Sequence, residues 1–186
     1  MTGSRKRLVN GVAGLVLLGI VVVGGILGFS MGSRADLVPT GQSAPDFTAI
    51  TSDGSTVHLS ALKRHKRVVL VFYPGDYTPV CTAQLCSFRD TWKALQAEDA
   101  VVYGINPALQ SRHAGFAAQN RLPFPLLVDR GGDIARSYGC RALFGIIKRT
   151  VYVIDRRGNV VWSERGNPSP GDILRVLHDL KDAPIR

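Results

Sequence analysis

The apolar positions fall into two periods, and their order along the chain predicts strands alternating with helices. Val68-Val69-Leu70-Val71-Phe72 is a short, uninterrupted, β-branched run, the pattern of a strand buried on both faces. A helical period follows it. Leu85, Phe88, Trp92 and Leu95 form one stripe of a helix predicted from Thr82 to about Gln96, with Pro79 near its start, where a missing N–H costs nothing. Val101–Ile105 is a second buried strand, and Ser111 is expected to cap a helix running to Gln119 with Phe116 inward. Pro125–Asp129 reads as a short strand and Gly132–Tyr138 as a short helix. Thr150–Ile154 and Val160–Trp162 are strands joined by a turn, and Asp172–Lys181 is an amphipathic helix with Ile173, Val176, Leu177 and Leu180 inward. Upstream, Thr48–Ile50 and Thr56–Leu59 flank Asp53-Gly54 as a hairpin. Strands alternating with helices, then a hairpin and a last helix, predict an α/β fold with a central mixed β-sheet flanked by helices.

One apolar stretch lies outside this alternation. Leu8–Phe29 carries no charge and follows Arg5-Lys6-Arg7. As a helix it would span roughly 33 Å, enough to cross a bilayer. A cleavable signal peptide is the alternative, with small residues around Ser33-Arg34-Ala35, but signal cores usually run only about 7–15 residues. The length favours an uncleaved single-pass anchor. Three basic residues before the span and one after it place the N-terminus in the cytoplasm and the folded domain on the extracytoplasmic side; cleavage would give a secreted domain instead. The organisation expected is a basic tail at 1–7, an anchor at 8–29, a linker at 30–43 and one domain at 44–186.

Composition changes this picture little. A chain of 186 residues, 45% hydrophobic, has length enough for one ordinary core. The formal charge of +9 suggests nucleic acid, but Arg5, Lys6, Arg7 and Arg34 precede the domain. No basic run alternates with aromatics, so no nucleic-acid partner is expected; Lys63–Arg67 reads as a solvated charge run.

The candidate chemistry sits between the first buried strand and its helix. Three cysteines are too few for a disulfide scaffold and do not form a zinc pattern. Cys81 falls in the first helical turn, against unpaired backbone N–H groups and the positive end of the helix dipole. An ordinary cysteine is only about 3% thiolate at pH 7, and making it mostly thiolate takes about 3.4 kcal/mol. A helix end offers about 0.3–1 kcal/mol, rising to about 2 when partly buried. A nearby cation is therefore expected. Arg149, at the start of the strand Thr150–Ile154, is the best placed, since a neighbouring strand could carry it to the site. The Thr78 hydroxyl, three residues before Cys81, can donate or accept in the same pocket. Cys86 lies five residues on. In an intact helix that spacing separates the Cα atoms by about 8.7 Å, beyond the roughly 7 Å that a disulfide spans, so a Cys81–Cys86 bond requires the helix to unwind.

These residues resemble a family. Pro74-x-x-x-Thr78-x-x-Cys81 matches the peroxiredoxin active-site pattern, and Thr78-Pro79-Val80-Cys81-Thr82-Ala83-Gln84-Leu85-Cys86 with Arg89-Asp90 is similar to the peroxiredoxin Q, or bacterioferritin comigratory protein, branch. The similarity runs from about Gly41 to Lys181 through Gly104-Ile105, His113, Phe116, Phe124–Asp129, Tyr138-Gly139 and Arg149 to Asp155. It implies a thioredoxin-like fold and a thiol-dependent peroxidase acting on hydrogen peroxide and organic hydroperoxides without a cofactor or metal. It further implies Cys81 as peroxidatic cysteine, Cys86 as resolving cysteine, and Pro74, Thr78 and Arg149 as the pocket. The implied reductant is a thioredoxin-like protein, and the catalytic domain is expected to be monomeric. Val80 and Asn106 depart from the branch, which often has glycine and serine there. The anchor lies outside the resemblance.

Blander roles stand beside these. Cys86 and Cys140 could be packed thiols, with Cys140 a lesser candidate partner of Cys81, and Arg149 could serve a surface ion pair. His113 is expected to support its helix or a loop, and His58, His65 and His178 to lie at the surface. Two other functions compete. A membrane-anchored thiol–disulfide oxidoreductase usually carries Cys-x-x-Cys, which is absent. A copper chaperone on the same fold uses two cysteines and a histidine, usually with Cys-x-x-x-Cys spacing, and no histidine here follows His113 until His178.

Overall fold

The computed structural model describes residues 37–180, so the N-terminal stretch Leu8–Phe29 and the last residues from Lys181 lie outside the described residues. Among the described residues no helix is long and apolar enough to cross a membrane. In chain order the elements are β1 (Thr48–Ile50), β2 (Thr56–His58), a 3-10 turn (Leu59–Leu62), β3 (Arg67–Phe72), α1 (Pro79–Asp90), α2 (Trp92–Ala97) and β4 (Ala100–Asn106). They continue with α3 (Gln110–Gln119), β5 (Leu126–Val128), α4 (Asp133–Ser137), a second 3-10 turn (Leu143–Gly145), β6 (Thr150–Ile154), β7 (Val160–Arg165) and α5 (Pro170–Asp179).

Five strands form the central sheet in the order β5-β4-β3-β6-β7, and β1 and β2 make a separate hairpin. β3 runs parallel to β4 and antiparallel to β6, so the sheet is mixed. All six residues of β3 are buried, as the apolar run required of Val68–Phe72. Alternate side chains serve opposite faces. Val68, Leu70 and Phe72 pack with Ile134, Ala135 and Tyr138 of the α4 region and with Tyr152. Val69, Val71 and Tyr73 pack with Cys81, Leu85 and Phe88 of α1, Phe116 of α3, and Ile173 and Leu177 of α5. Each fully buried Leu or Phe contributes about 1.5–3 kcal/mol, so the sheet is covered on both sides by its own alternation. This is the thioredoxin-like α/β arrangement.

Local chemistry moves several boundaries. The single helix expected from Thr82 to Gln96 is two, because Thr91 adopts φ −101° and its hydroxyl donates to the Ser87 carbonyl at 2.8 Å. A hydroxyl that bonds back into the helix competes with the backbone ladder. α1 also begins earlier, with Pro79 in its first turn after Thr78. Ser111 caps nothing: α3 starts at Gln110 after an extended Leu109 that has no side-chain cap. The last helix starts at Pro170 because Ser169 and Asp172 form a capping box. Arg67, expected in a solvated charge run, is 5% exposed and donates to the Glu98 carbonyl at 2.7 Å. Gly104 shows how closely α1 seats on the sheet. A Cβ there would come within 2.6 Å of Leu126 and 3.1 Å of Tyr73, with Leu85 of α1 at 3.5 Å.

Candidate active site

Sheet register explains how the site assembles. Phe72 at the end of β3 pairs with Thr150 at the start of β6, which places Arg149 beside the point where β3 hands over to α1. Thr78 is extended (φ −84°, ψ 141°), Pro79 follows it, and Cys81 occupies the third helical position with its N–H free of an intrahelical partner. The Arg149 Nη2 donates to the Cys81 Sγ at 3.0 Å, and its Nη1 donates to the Gln84 Oε1. A guanidinium in that position gives a negative sulfur a charge-assisted donor. Cys81 is 1% exposed and packs in the cluster beneath α1, so little water competes for this contact.

The other expected residues are placed less directly. Thr78 is exposed, and its hydroxyl donates to the Gly75 carbonyl at 3.3 Å rather than to Cys81. Pro74 is exposed at the start of the same loop. Cys86 is half-buried on the same continuous α1, its Sγ 3.8 Å from the Asn120 Oδ1 at the end of α3. All three cysteines are free thiols. Cys140 lies in the opposite core cluster from Cys81, fully buried, its Sγ 3.4 Å from the Tyr138 carbonyl. Burial pushes the Cys140 thiol up to about 11. Trp92 and Trp162 are packing residues, and His58, His65 and His178 are exposed.

Sequence reasoning missed what supports the site. Asp76 sits in the loop between Pro74 and Thr78 yet is 2% exposed. Its Oδ1 accepts from the Tyr73 hydroxyl at 2.7 Å and from the Asn106 Nδ2 at 2.8 Å, while its Oδ2 lies 3.0 Å from the His113 Nδ1. Burial alone would raise the Asp76 carboxyl. The bonds from His113 and Tyr73, with the charge of His113 and the bond from Asn106, outweigh it and hold the group below 3.8. Tyr73 is driven the other way, well above 10, by burial and by the neighbouring Asp76 charge. Arg112 donates to the Asp76 carbonyl at 3.3 Å and covers the Tyr77 ring at 4.9 Å. Tyr77 itself is left-handed, at φ +63°. The loop before Cys81 is thus clamped from α3 and β4. Asn106, which departs from the branch pattern, is part of the clamp, whereas Val80 is exposed beside Cys81. Gln84 had a signal that could have found it: three residues beyond Cys81 is one helical turn, the same face.

A buried thiol at a helix N-terminus, held by a guanidinium on a thioredoxin-like sheet, defines a cysteine-based redox enzyme. The comparisons with known proteins say which. Residues 40–163 match the AhpC/TSA family model. Over 149 residues the chain is 45% identical to the chloroplastic peroxiredoxin Q of Populus jackii, covering 77% of this chain and 70% of that protein. It is 36% identical over 152 residues to peroxiredoxin Bcp of Bacillus subtilis, covering 78% of this chain and 96% of that one. The crystal structure of peroxidoxin BcpB from Mycobacterium tuberculosis superposes with a TM-score of 0.71 at 34% identity, covering 76% and 97%. The chain belongs to the AhpC/TSA family and, within it, to the peroxiredoxin Q/Bcp group of thiol-dependent peroxidases. The copper-chaperone alternative needs a third ligand beside two cysteines. Among the described residues no three His, Cys, Asp or Glu side chains gather to hold a metal.

Proposed function

We propose that Cys81 is the residue that attacks peroxide and that Cys86 resolves it. The Cys81 thiolate attacks the terminal oxygen of a hydroperoxide, and the O–O bond breaks. The sulfur becomes a sulfenic acid, and the departing hydroxide or alkoxide takes a proton to leave as water or alcohol. The Cys86 thiol then condenses with the sulfenic acid, releasing water and forming a disulfide, which an external dithiol protein of the thioredoxin type reduces by exchange. The observation that carries this reading is the 3.0 Å contact from Arg149 to the Cys81 sulfur. The same fork can stabilise negative charge growing on the leaving oxygen. Thr78 can exchange its bond to Gly75 for one to the bound peroxide, and Pro74 closes the rim of the loop.

The reading extends to placement of the enzyme. Leu8–Phe29 serves as a single-pass anchor with the N-terminus cytoplasmic and the catalytic domain extracytoplasmic, supported by its length, its lack of charge and the basic residues ahead of it. The reductant is then a thioredoxin-like protein on that outer side, and the domain works as a monomer.

The test mixes reduced full-length protein with a small excess of hydrogen peroxide and follows each thiol by mass spectrometry. Rapid, selective loss of the Cys81 thiol, abolished in Cys81→Ser, is expected. Cys86→Ser should halt at the sulfenic acid. Slow, unselective oxidation of all three cysteines would overturn the assignment, and an intramolecular disulfide surviving in Cys86→Ser would move the resolving role to Cys140. Protease accessibility of the domain in sealed vesicles tests the topology.

A further inference from the structure

Cys86 is bound, in the closed helix, to the end of α3. Asn120 caps that helix, and each of its polar groups has a partner. Its backbone N–H and its side-chain Nδ2 both donate to the Phe116 carbonyl, at 3.1 and 2.9 Å. Its own carbonyl accepts from the Arg89 Nη1 at 2.8 Å. That leaves Oδ1, to which the Cys86 thiol donates at 3.8 Å. Chemistry fixes which way the amide faces. Only its nitrogen carries hydrogens for the Phe116 carbonyl, so its oxygen turns to the sulfur.

α3 is itself firmly seated. Phe116 is fully buried in the cluster that holds Leu85 and Phe88 of α1. His113 and Asn120 lie seven residues apart, two helical turns on one face, and His113 meets Asp76 in the loop ahead of α1. One helix thus holds the chain before α1 begins and again in the second half of α1. Arg89 stands three residues beyond Cys86 and binds the main chain of Asn120, so this fastening does not depend on the Asn120 side chain.

The bond from Cys86 to Asn120 exists in only one redox state. A thiol has a hydrogen to donate, and a disulfide sulfur has none. The bond therefore belongs to the reduced chain and to the sulfenic acid, and it is lost when Cys81 and Cys86 join. A contact confined to the starting side of a reaction acts on it twice. It slows the step, because Cys86 must give up the bond before its sulfur can travel toward Cys81. It also raises the reduction potential of the pair, because the dithiol is the form it stabilises. A net hydrogen bond from a weak S–H donor is worth about two- to fivefold in each.

We propose that Asn120 is a positioning residue for the resolving cysteine: its Oδ1 latches the Cys86 thiol to the end of α3, delaying resolution and making the disulfide easier to reduce. In the resolving step the Cys86 sulfur bonds to the Cys81 sulfur, and the Cys86 hydrogen leaves with the sulfenic oxygen as water. In the reducing step an external dithiol becomes a disulfide, and both cysteines regain their hydrogens. Cys86 then returns to an acceptor that Phe116 and Arg89 have kept in place. The proposal rests on Cys86 as the resolving thiol.

The test compares the full-length chain with Asn120→Leu, which is similar in size and offers the sulfur no acceptor. Asn120→Ser is the second variant; its hydroxyl ends one bond short of Oδ1. The backbone there, at φ −94°, accepts either side chain. Stopped-flow fluorescence after hydrogen peroxide separates the two steps. Conversion of sulfenic acid to disulfide should quicken about two- to fivefold in both variants, with loss of the Cys81 thiol within about 1.5-fold of the parent. Equilibration with dithiothreitol buffers should place the potential of the Cys81–Cys86 pair lower by about 9–21 mV, the same factor at about 30 mV per tenfold. Urea should show a larger loss of stability in the reduced variants than in the oxidised ones. Equal loss in both states overturns the proposal, as does equal quickening of both steps. A parent that forms the Cys81–Cys86 disulfide, with variants sharing its rate and potential, removes the latch alone. A parent that never forms that disulfide removes the resolving role of Cys86 and the latch with it.

Discussion

Joining Cys81 to Cys86 should cost the first half of α1, and Leu85 sets how hard that is. The two cysteines share one uninterrupted helix, so their Cα atoms stand about 8.7 Å apart against a disulfide limit near 7 Å. Closing the gap means unwinding from Pro79 through Cys86. That motion breaks the two Arg149 contacts, to Cys81 and to Gln84, and draws Leu85 from a site with no exposure at all, where it packs beside Gly104. Returning a buried leucine side chain to water costs about 2–3 kcal/mol. Leu85→Ala removes most of that cost from the opening step. If opening limits disulfide formation, the conversion of sulfenic acid to disulfide should accelerate roughly 30- to 160-fold. Stopped-flow fluorescence reads the step through Trp92, whose ring lies 5.7 Å from Phe124. Hydrogen exchange at Thr82–Cys86 in the oxidised protein reads the unwinding directly. Oxidised protein whose α1 amides stay as protected as in the reduced form would refute the reasoning. So would a Leu85→Ala variant that loses stability yet resolves at the parent rate.

Arg149→Gln should slow loss of the Cys81 thiol to peroxide by about a hundredfold or more, with Arg149→Lys recovering only part, since an ammonium lacks the fork that reaches sulfur and Gln84 together. Gln84→Leu should cost about tenfold in the same stopped-flow assay, because it frees the guanidinium without removing it. Cys140 is held at about 11 from about 9 by burial, so between those values the folded chain keeps a proton that the unfolded chain loses. Stability should therefore fall by about 2–3 kcal/mol as pH rises across that window, and urea titrations of Cys140→Ala should show a flatter slope there. Asp76 behaves oppositely: its folded pKa is depressed, so its contribution is present above 3.8 and is lost as pH falls below that. Acid unfolding of Asp76→Asn should lack this part of the transition; an unchanged acid limb would discount the His113–Asp76 contact.

The legible parts of this fold are those written in neighbouring residues. β3 announced itself by five consecutive apolar residues, Val68–Phe72, and Cys81 by its place behind Pro79 at a helix start. Arg149 was reachable because electrostatic cost demanded a cation and strand order supplied one. The Asp76–His113 contact was not, since it joins residues far apart in the chain, through the packing of α3 against a loop whose own sequence looks solvated. Ser111 misled because a residue caps a helix only when its own backbone is extended, and here that residue is Leu109, with Ser111 already inside α3. Leu143, Phe144 and Ile146 are apolar and would be placed inside by pattern alone; the backbone is left-handed at Phe144 and Gly145, and all three side chains are exposed. Leu8–Phe29 lies outside the described residues, so its role rests on composition.

The interruption at Thr91 turns α1 into a separate cooperative unit. Helix fraying spreads through successive i→i−4 bonds, and the Ser87 carbonyl, the Thr91 hydroxyl and the bent backbone between α1 and α2 end that series. Just upstream, Arg89 donates to the Asn120 carbonyl at 2.8 Å and Phe88 is fully buried, so the far end of α1 is fastened to the end of α3. Unwinding that begins at Pro79 therefore meets a stop before it reaches Trp92 and Leu95. α2 stays docked, and β4, which it leads into, keeps its register with β3. If resolution by Cys86 opens α1 at every turnover, the enzyme is in this way spared partial unfolding of its sheet, and the exposed edge that such unfolding would offer to aggregation.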